Sequence, residues 1–549
     1  MLVMGFRTNE FQQVSLQDRI NNLTDRERRM LKKSWAEPFA NRIFPLIDEA
    51  KFEVLYCSDN GRPPTPVNVV IGSLLLKDMV GLTDEELLES VLFDIRFQQA
   101  LHLTSYEEIP YSDRTPSRFR ERLYRHELET GEDLLKEEIE RLGEEFAKLM
   151  KIHSNIRRMD SLMVSSSCKN MSRLELIYTC TSNLVKAILK LGEAAMLPER
   201  LLRYAEDNQK NAVCYRMGKD EVTTRLEEVT ADALLVYELC GEGFGEISEY
   251  QLLSRMLKDQ TNSGQLKLNK EISPQSLQNP SDEDATFRRK AGEGYQGYVA
   301  NVVEVCSENG NIITQYDYDV NRHSDAEFGA EVIEELGLQE EPLVLIGDGA
   351  FASEENFKAA EDNNIELVTT NLIGEKPPEI VLGFQIEDQE IKSCPAGHGP
   401  IDCKYNEEKD QYRAHFDKGT CEQCPHRDEC PVIMQKRSAL VKLSQSTIDR
   451  AEYTEKLSTE EYKAYARIRN GVEGVPSVLR RRYRVDDMPV RGLLRSKLWF
   501  GFKIGAINVK RVIAAALISA LSYFSGEWQA LQLSFMGYFK RHSIAAYVT

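Results

Sequence analysis

Apolar residues recur at helical spacing from about residue 16 to residue 149, most clearly in VNVVIGSLLLKDMVGLTDEELLESVLFD and in SRFRERLYRHELETGEDLLKEEIERLGEEFAKLM. Thr83 ahead of Asp84, Glu85 and Glu86 is a helix start, and Thr115 with Pro116 is another. The period then shortens. RRMDSLMVSSS reads as a strand that begins near Ile156, and a second helical block follows from about residue 172 to residue 259. The polar segment TNSGQLKLNKEISPQSLQNPSDED reads as a loop. GYQGYVANVVEVCS and NIITQYDYDV are strands joined at Glu308, Asn309 and Gly310, a hairpin by composition. A helix over about 324–337, a strand in EPLVLIGDGAF buried on both faces, a helix in SEENFKAAEDNN and a strand in IELVTTNL complete the central pattern.

Strand, hairpin, helix, strand, helix, strand describes a mixed α/β sheet flanked by helices, and the order resembles the ribonuclease H-like fold. The chain has 549 residues, of which 42% are hydrophobic, so it can bury several cores. Its most apolar stretch, VIAAALISALSYFSG from Val512, is too short to span a bilayer and follows basic residues, so it reads as a buried helix. MLVMGFRTNEFQQ lacks the pattern of a signal peptide, and the expectation is a cytoplasmic protein with no membrane partner.

A net charge of -19 argues against a protein that coats nucleic acid with its whole surface. It leaves room for a local basic channel. Arg480, Arg481, Arg482, Arg484, Arg491, Arg495, Lys497, Lys503, Lys510 and Arg511 fall in one stretch whose own opposing charges are Asp486 and Asp487. The bland reading of such a stretch is a solvated helix face.

Three carboxylates sit in distinct local patterns: Asp160 on a strand in IRRMDSLMV, Asp348 at a strand end in LVLIGDGAF, and Glu473 on a helix in RIRNGVEGVPSVLR. Carboxylates that converge repel one another unless a divalent cation or a shared proton relieves them, and such a set suits two-metal phosphodiester chemistry. Taken singly, each is a cap, a turn or a solvated residue. Arg469 and Arg480 are spaced to share a helix face with Glu473, although Gly471, Gly474 and Pro476 should interrupt that helix. Asp284 and Asp325 are rival acids; Asp284 reads as supporting the metal ligands from behind or as loop-ordering, and His323 with Asp325 as structural or as close to substrate.

Cys394, Cys421, Cys424 and Cys430, with Cys403, His398 and His426 close in sequence, form a second constellation among the 11 cysteines. A Cys-x-x-Cys turn and two further thiolates can surround a structural Zn²⁺; free thiols or an iron–sulfur cluster would use the same ligands. Cys168, Cys180, Cys214, Cys240 and Cys306 read as isolated core thiols. Arg118, Arg120, Arg122 and Arg125 offer phosphate contacts, against an even alternative of a charged solvent face.

GRPPTPVNVVIGSLLLKDMVGLTDEELLESVLFDIRFQQAL, DRTPSRFRERL, MDSLMVSSSCKN, NPSDEDATFRRKAGEGYQGYVANVVE, NRHSDAEF, LIGDGAF, the cysteine cluster, RNGVEGVPSVLRRRYR and AINVKR occur in that order. As an ordered set they resemble the bacterial DDE-type insertion-sequence transposases, in the subgroup with a helical insertion after the first Asp and a cysteine-rich insertion before the Glu. The resemblance implies a ribonuclease H-like catalytic core with a helical N-terminal region, a helical insertion and a small zinc-binding insertion. It places the N-terminal DNA-binding or dimerisation region at 1–150, the core at 151–170 and 270–375, the helical insertion at 171–269, the cysteine-rich insertion at 376–440 and the Glu-bearing remainder at 441–549.

It further implies that Asp160, Asp348 and Glu473 hold two Mg²⁺ ions, with Mn²⁺ as a substitute. Cys394, Cys421, Cys424 and Cys430 would hold Zn²⁺. Arg469, Arg480, Arg481, Arg482, Arg491, Lys510 and Arg511 would meet DNA. In the family's Tyr, Arg, Glu, Lys signature Arg469 and Glu473 match, Arg480 replaces the Lys, and Tyr465 is displaced by one residue. The implied partners are terminal inverted repeats, target DNA and a second copy of the chain, in the nucleoid. A nuclease on the same core without strand transfer, or a DNA-binding protein with a decayed centre, are the competing readings.

Overall fold

The computed structural model describes residues 6, 8–9, 18–56, 65–105, 109, 111–215, 218, 221–290, 292–371, 374 and 376–525, without the side chains of 242 and 519–525. The Gly-Arg-Pro-Pro part of the sequence match (61–64), most of the N-terminal segment and the end of the apolar stretch that starts at Val512 lie outside the described residues. The chain divides into two compact units: residues 1–154, 161–324 and 474–549 form one, and residues 155–160 and 325–473 the other. The strand Ile156–Ser165 (β1) contributes its first half to the second unit and its second half to the first.

In the first unit the helix Val67–Val80 is buried almost all round, and it packs against the long helix Leu493–Ser525. That contact is close because Gly505 lacks a Cβ: one placed there would lie 2.5 Å from Leu75 Cδ2 and 2.7 Å from Ile139 Cδ1. The strands Thr286–Lys290 (β2), Glu293–Ser307 (β3) and Gly310–Val320 (β4) are antiparallel, with Tyr298 opposite Val320 and Ser307 opposite Gly310. The β3–β4 turn falls at Glu308 and Asn309, as its composition predicts. Gly297 holds a positive φ of 146° where β3 crosses the end of β1, and Ser166 N donates to Gln296 O there at 3.0 Å. The helical insertion, built on Arg173–Lys190, Val222–Cys240 and Ser248–Gln260, has its own core around Ile177, Leu184, Val229, Val236, Leu253 and Met256. The expected loop after it is more structured than its polarity suggests. Thr261–Asn262 pairs with Gln265–Leu266, a short helical turn spans Asn269–Glu271, and β2 follows.

In the second unit Leu343–Gly347 (β5) lies between the first half of β1 and Ile365–Thr369 (β6), all parallel. Every residue of β5 is buried, as its continuous apolar run requires. Helices Asp325–Leu336 and Glu354–Asp362 connect the strands. On one sheet face Ile156, Val344, Ile346 and Val368 receive Tyr462, Tyr465 and Ile468 of the helix Glu460–Asn470. The cysteine-rich insertion contains an antiparallel sheet that alternation alone did not reveal, in the order Asp402–Asn406, Gln411–Phe416, Ala439–Ser444, Val432–Met434. Its core includes Val381, Phe416, Val441 and Leu443. Among the described residues no helix is long and apolar enough to cross a membrane.

Candidate active site

Parallel pairing sets the first two carboxylates level. Ile156 lies opposite Val344 and Arg158 opposite Ile346, so the same offset carried two residues on brings Asp160 beside Asp348. Side chains alternate along a strand, which puts Ile156, Arg158 and Asp160 on the face that the helix Glu460–Asn470 covers. Asp348 follows β5 and caps a short helical turn, Gly349–Phe351, its Oδ1 accepting from Ala350 N at 2.8 Å. Asn371 Oδ1 accepts from Gly349 N at 2.7 Å and holds that turn.

Glu473 departs from expectation. It ends a single 3₁₀ turn, Gly471–Glu473, between the helices Glu460–Asn470 and Gly474–Arg481, rather than sitting within one helix. Pro476 explains the break and is tolerated after it. It is the third residue of the second helix, where the N–H that proline lacks would have no intrahelical acceptor.

All three carboxylates meet one guanidinium. Arg469 Nη1 lies 2.8 Å from Glu473 Oε1, and Nη2 lies 3.4 Å from Asp160 Oδ1 and 3.8 Å from Asp348 Oδ2. Exposure rises across the set, with side chains 13%, 30% and 61% accessible for Asp160, Asp348 and Glu473. The cluster therefore has a sheltered floor and an open rim. Arg158, which sequence reasoning passed over, braces it: Nη1 donates to Ile468 O at 2.7 Å at the end of the Arg469-bearing helix. A signal was present, since Arg158 precedes Asp160 by two residues on a strand and must share its face.

Several basic residues expected at DNA are engaged elsewhere. Arg480 does not join the carboxylates; it donates to Met163 O at 2.8 Å and pairs with Asp486 at 3.4 Å. Arg482 donates to Met79 O, and Arg511 pairs at 2.7 Å with Glu304, which is fully buried. Lys497 is held by Glu127 and Asp133, Lys503 by Asp78, and Arg495 by Glu121. The stretch looked nearly unopposed in sequence because its counter-charges come from distant segments. Burial, then Arg482, lowers the Lys510 ammonium to about 8. Arg481 and Arg491 are exposed.

Among the N-terminal arginines, Arg120 pairs with Asp84, Arg125 with Glu121 at 2.9 Å, and Arg122 lies over the Tyr56 ring, while Arg118 is exposed. Asp284 Oδ2 accepts from Leu493 N at 2.9 Å and caps the long helix. His323 faces Asp319, and Asp325 is buried at the head of its helix.

Cys394, Cys421, Cys424 and Cys430 line one small pocket with His398 and His426; Cys403 instead accepts from Ile391 N through its sulfur. Burial foremost, and then the neighbouring thiols, raises the Cys421 and Cys430 pKa values above the ordinary range. Among the described residues no group of three or more His, Cys, Asp and Glu is arranged to hold a metal ion. In the carboxylate cluster a guanidinium stands among the oxygens, and in the cysteine insertion four thiols line the same pocket. The donor types fit all the same: hard oxygens in the first and soft sulfurs in the second.

Sequence families divide along these parts. Residues 393–513, which carry the cysteine pocket, Arg469 and Glu473, match the family described as Transposase DDE domain. Residues 26–122 match a second, described as Transposase domain (DUF772). Both matches are to transposase families, and they support a bacterial DDE-type insertion-sequence transposase whose function is that of a DNA transposase. No curated protein and no solved structure matches it.

Proposed function

We propose that this transposase cleaves and joins DNA at the ends of an insertion sequence on a ribonuclease H-like core, with Asp160, Asp348 and Glu473 as ligands of two Mg²⁺ ions. The single observation that carries the reading is the convergence of those three side chains on Arg469. Strand order supports the fold: β4–β3–β1 in one unit and β1–β5–β6 in the other, with β1, β5 and β6 parallel.

When bound, the ions would lower the cost of forming the oxygen nucleophile and stabilise the departing oxygen. The chain's own residues supply position. Asp160 and Asp348 are fixed by strand register and Glu473 by a turn braced through Arg158, so no carboxylate has to be ordered as DNA arrives. In the first step water attacks phosphorus and the phosphodiester opens to a 3′-hydroxyl and a 5′-phosphate. In the second that 3′-hydroxyl attacks a target phosphodiester, a new P–O bond replacing the one broken.

Arg481 and Arg491 are exposed residues of the basic stretch and open to backbone phosphate. Holding two element ends together calls for a homodimer on DNA. The cysteine pocket would bind one structural Zn²⁺ through Cys394, Cys421, Cys424 and Cys430, tying the insertion together. The test is Asp160→Asn, Asp348→Asn and Glu473→Gln on a substrate carrying the element end. Each should lose both cleavage and transfer while retaining DNA binding. Near-normal activity in any one removes that residue from the site.

A further inference from the structure

We infer that Arg469 acts as a resident cation that holds the acidic cluster together before a divalent ion binds, and that the ion must displace it. This rests on the reading of Asp160, Asp348 and Glu473 as the metal ligands. Three carboxylates share one guanidinium, so the cluster keeps a net negative charge. With no cation among them, the three would repel one another in a partly sheltered site.

The guanidinium is a loose fit. Of its contacts only the one to Glu473, at 2.8 Å, has the length of a strong charged hydrogen bond; those to Asp160 and Asp348 are 3.4 and 3.8 Å. Its Nε is buried with no hydrogen-bond partner. A fork that satisfies its acceptors incompletely and leaves a donor orphaned is replaceable. Mg²⁺ carries twice the charge and approaches carboxylate oxygens at about 2.1 Å, so it interacts more strongly with the same oxygens. The two cations repel, and both cannot occupy the centre of the cluster.

Displacement needs little of the backbone. The helix Glu460–Asn470 is anchored independently by Tyr462, Tyr465 and Ile468 on the sheet and by Arg158 on Ile468 O. Only the Arg469 side chain has to swing out, toward the rim that exposed Glu473 marks. There a freed fork can pair with a phosphodiester, so its contact with DNA follows metal binding. By linkage, whatever Arg469 contributes to the metal-free protein it subtracts from metal affinity.

The experiment uses the full chain, with Mn²⁺ as the probe, followed by the electron paramagnetic resonance of the free ion and by thermal unfolding. Removal of a competing ion pair should tighten Mn²⁺ binding about tenfold in Arg469→Gln relative to the unmodified protein. In EDTA the same variant should melt lower, and Mn²⁺ should close the gap. Arg469→Lys, a point charge that cannot span three carboxylates, should show a smaller rise in affinity and serves if the Gln variant does not fold. Unchanged or weaker Mn²⁺ binding in these variants overturns the inference, provided Asp160→Asn abolishes binding, and leaves the metal-site reading standing. If Asp160→Asn and Asp348→Asn both bind Mn²⁺ like the unmodified protein, the metal-site reading itself falls.

Discussion

Replacement of Gly471 by alanine tests how the site is braced, because two opposing effects give it a definite sign. Gly471 has φ -65° and ψ -25°, a backbone that alanine adopts readily, so loss of unfolded-state entropy alone would stabilise the protein by about 0.4–1 kcal/mol. A Cβ there, however, would overlap Arg158 Nη1 and lie 3.0 Å from Cζ and 3.3 Å from Nη2. The end of a flexible side chain can often step aside. Arg158 cannot do so freely, since it is only 5% exposed and donates at 2.7 Å to Ile468 O.

A hydrogen bond from a charged group is worth about 1.5–3 kcal/mol, and losing it outweighs the entropic gain. The net expectation for Gly471→Ala is a loss of about 1–2 kcal/mol, or roughly 2–8 °C at about 2–4 °C per kcal/mol for a unit of this size. Thermal and denaturant unfolding of the full chain read it. In an Arg158→Ala background the same substitution should cost nothing further, because the clash is gone. A more stable Gly471→Ala protein, or an equal cost in both backgrounds, would refute the brace. Strand transfer should fall along with stability in the single variant, since the turn that moves carries Glu473.

Four further outcomes follow from particular residues. Arg511→Met removes the guanidinium that pairs with fully buried Glu304 and should cost about 3–5 kcal/mol in denaturant unfolding, whereas exposed Arg491→Ala should leave stability within about 0.5 kcal/mol and reduce the salt slope of DNA binding by roughly one. Lys510 is lowered to about 8 by burial and by Arg482; between there and about 10.4 the unfolded chain binds more protons, so its contribution to stability rises with pH and is lost as pH falls through 8. Lys510→Met should therefore stabilise at pH 7, by about 1–2 kcal/mol after solvent screening, with the advantage shrinking toward pH 10; a pH-independent difference contradicts the assignment. Purified protein should contain zinc that Cys424→Ser loses together with stability, and an equally stable, equally metal-loaded variant would remove the zinc proposal.

The helices and strands of the central region were legible because each follows a local rule. The apolar run at Leu343–Gly347 is buried from end to end, the turn at Glu308 and Asn309 joins β3 to β4, and Thr83 caps its helix with Glu86 reaching back. The sheet in the cysteine-rich insertion was not legible: its strands are short, and its faces are filled by partners distant in sequence, such as Ala414 opposite Val441. The basic stretch misled for a related reason. Counting charges along the chain finds Asp486 and Asp487, while Glu304, Glu127, Asp133 and Asp78 reach the same cations only through folding.

Residue type and local order singled out Asp160, Asp348 and Glu473 as candidates, grouped the four cysteines and anticipated an interruption of the helix near Pro476. They could not say what stands between the carboxylates. Arg469 was expected on DNA and lies among the three acids; Arg158 went unremarked and ties their elements together. Local patterns report short-range preferences of the backbone, which a few neighbours decide. The partner of a charge is decided by which strands pair in which register, and that depends on burial summed over residues hundreds of positions apart.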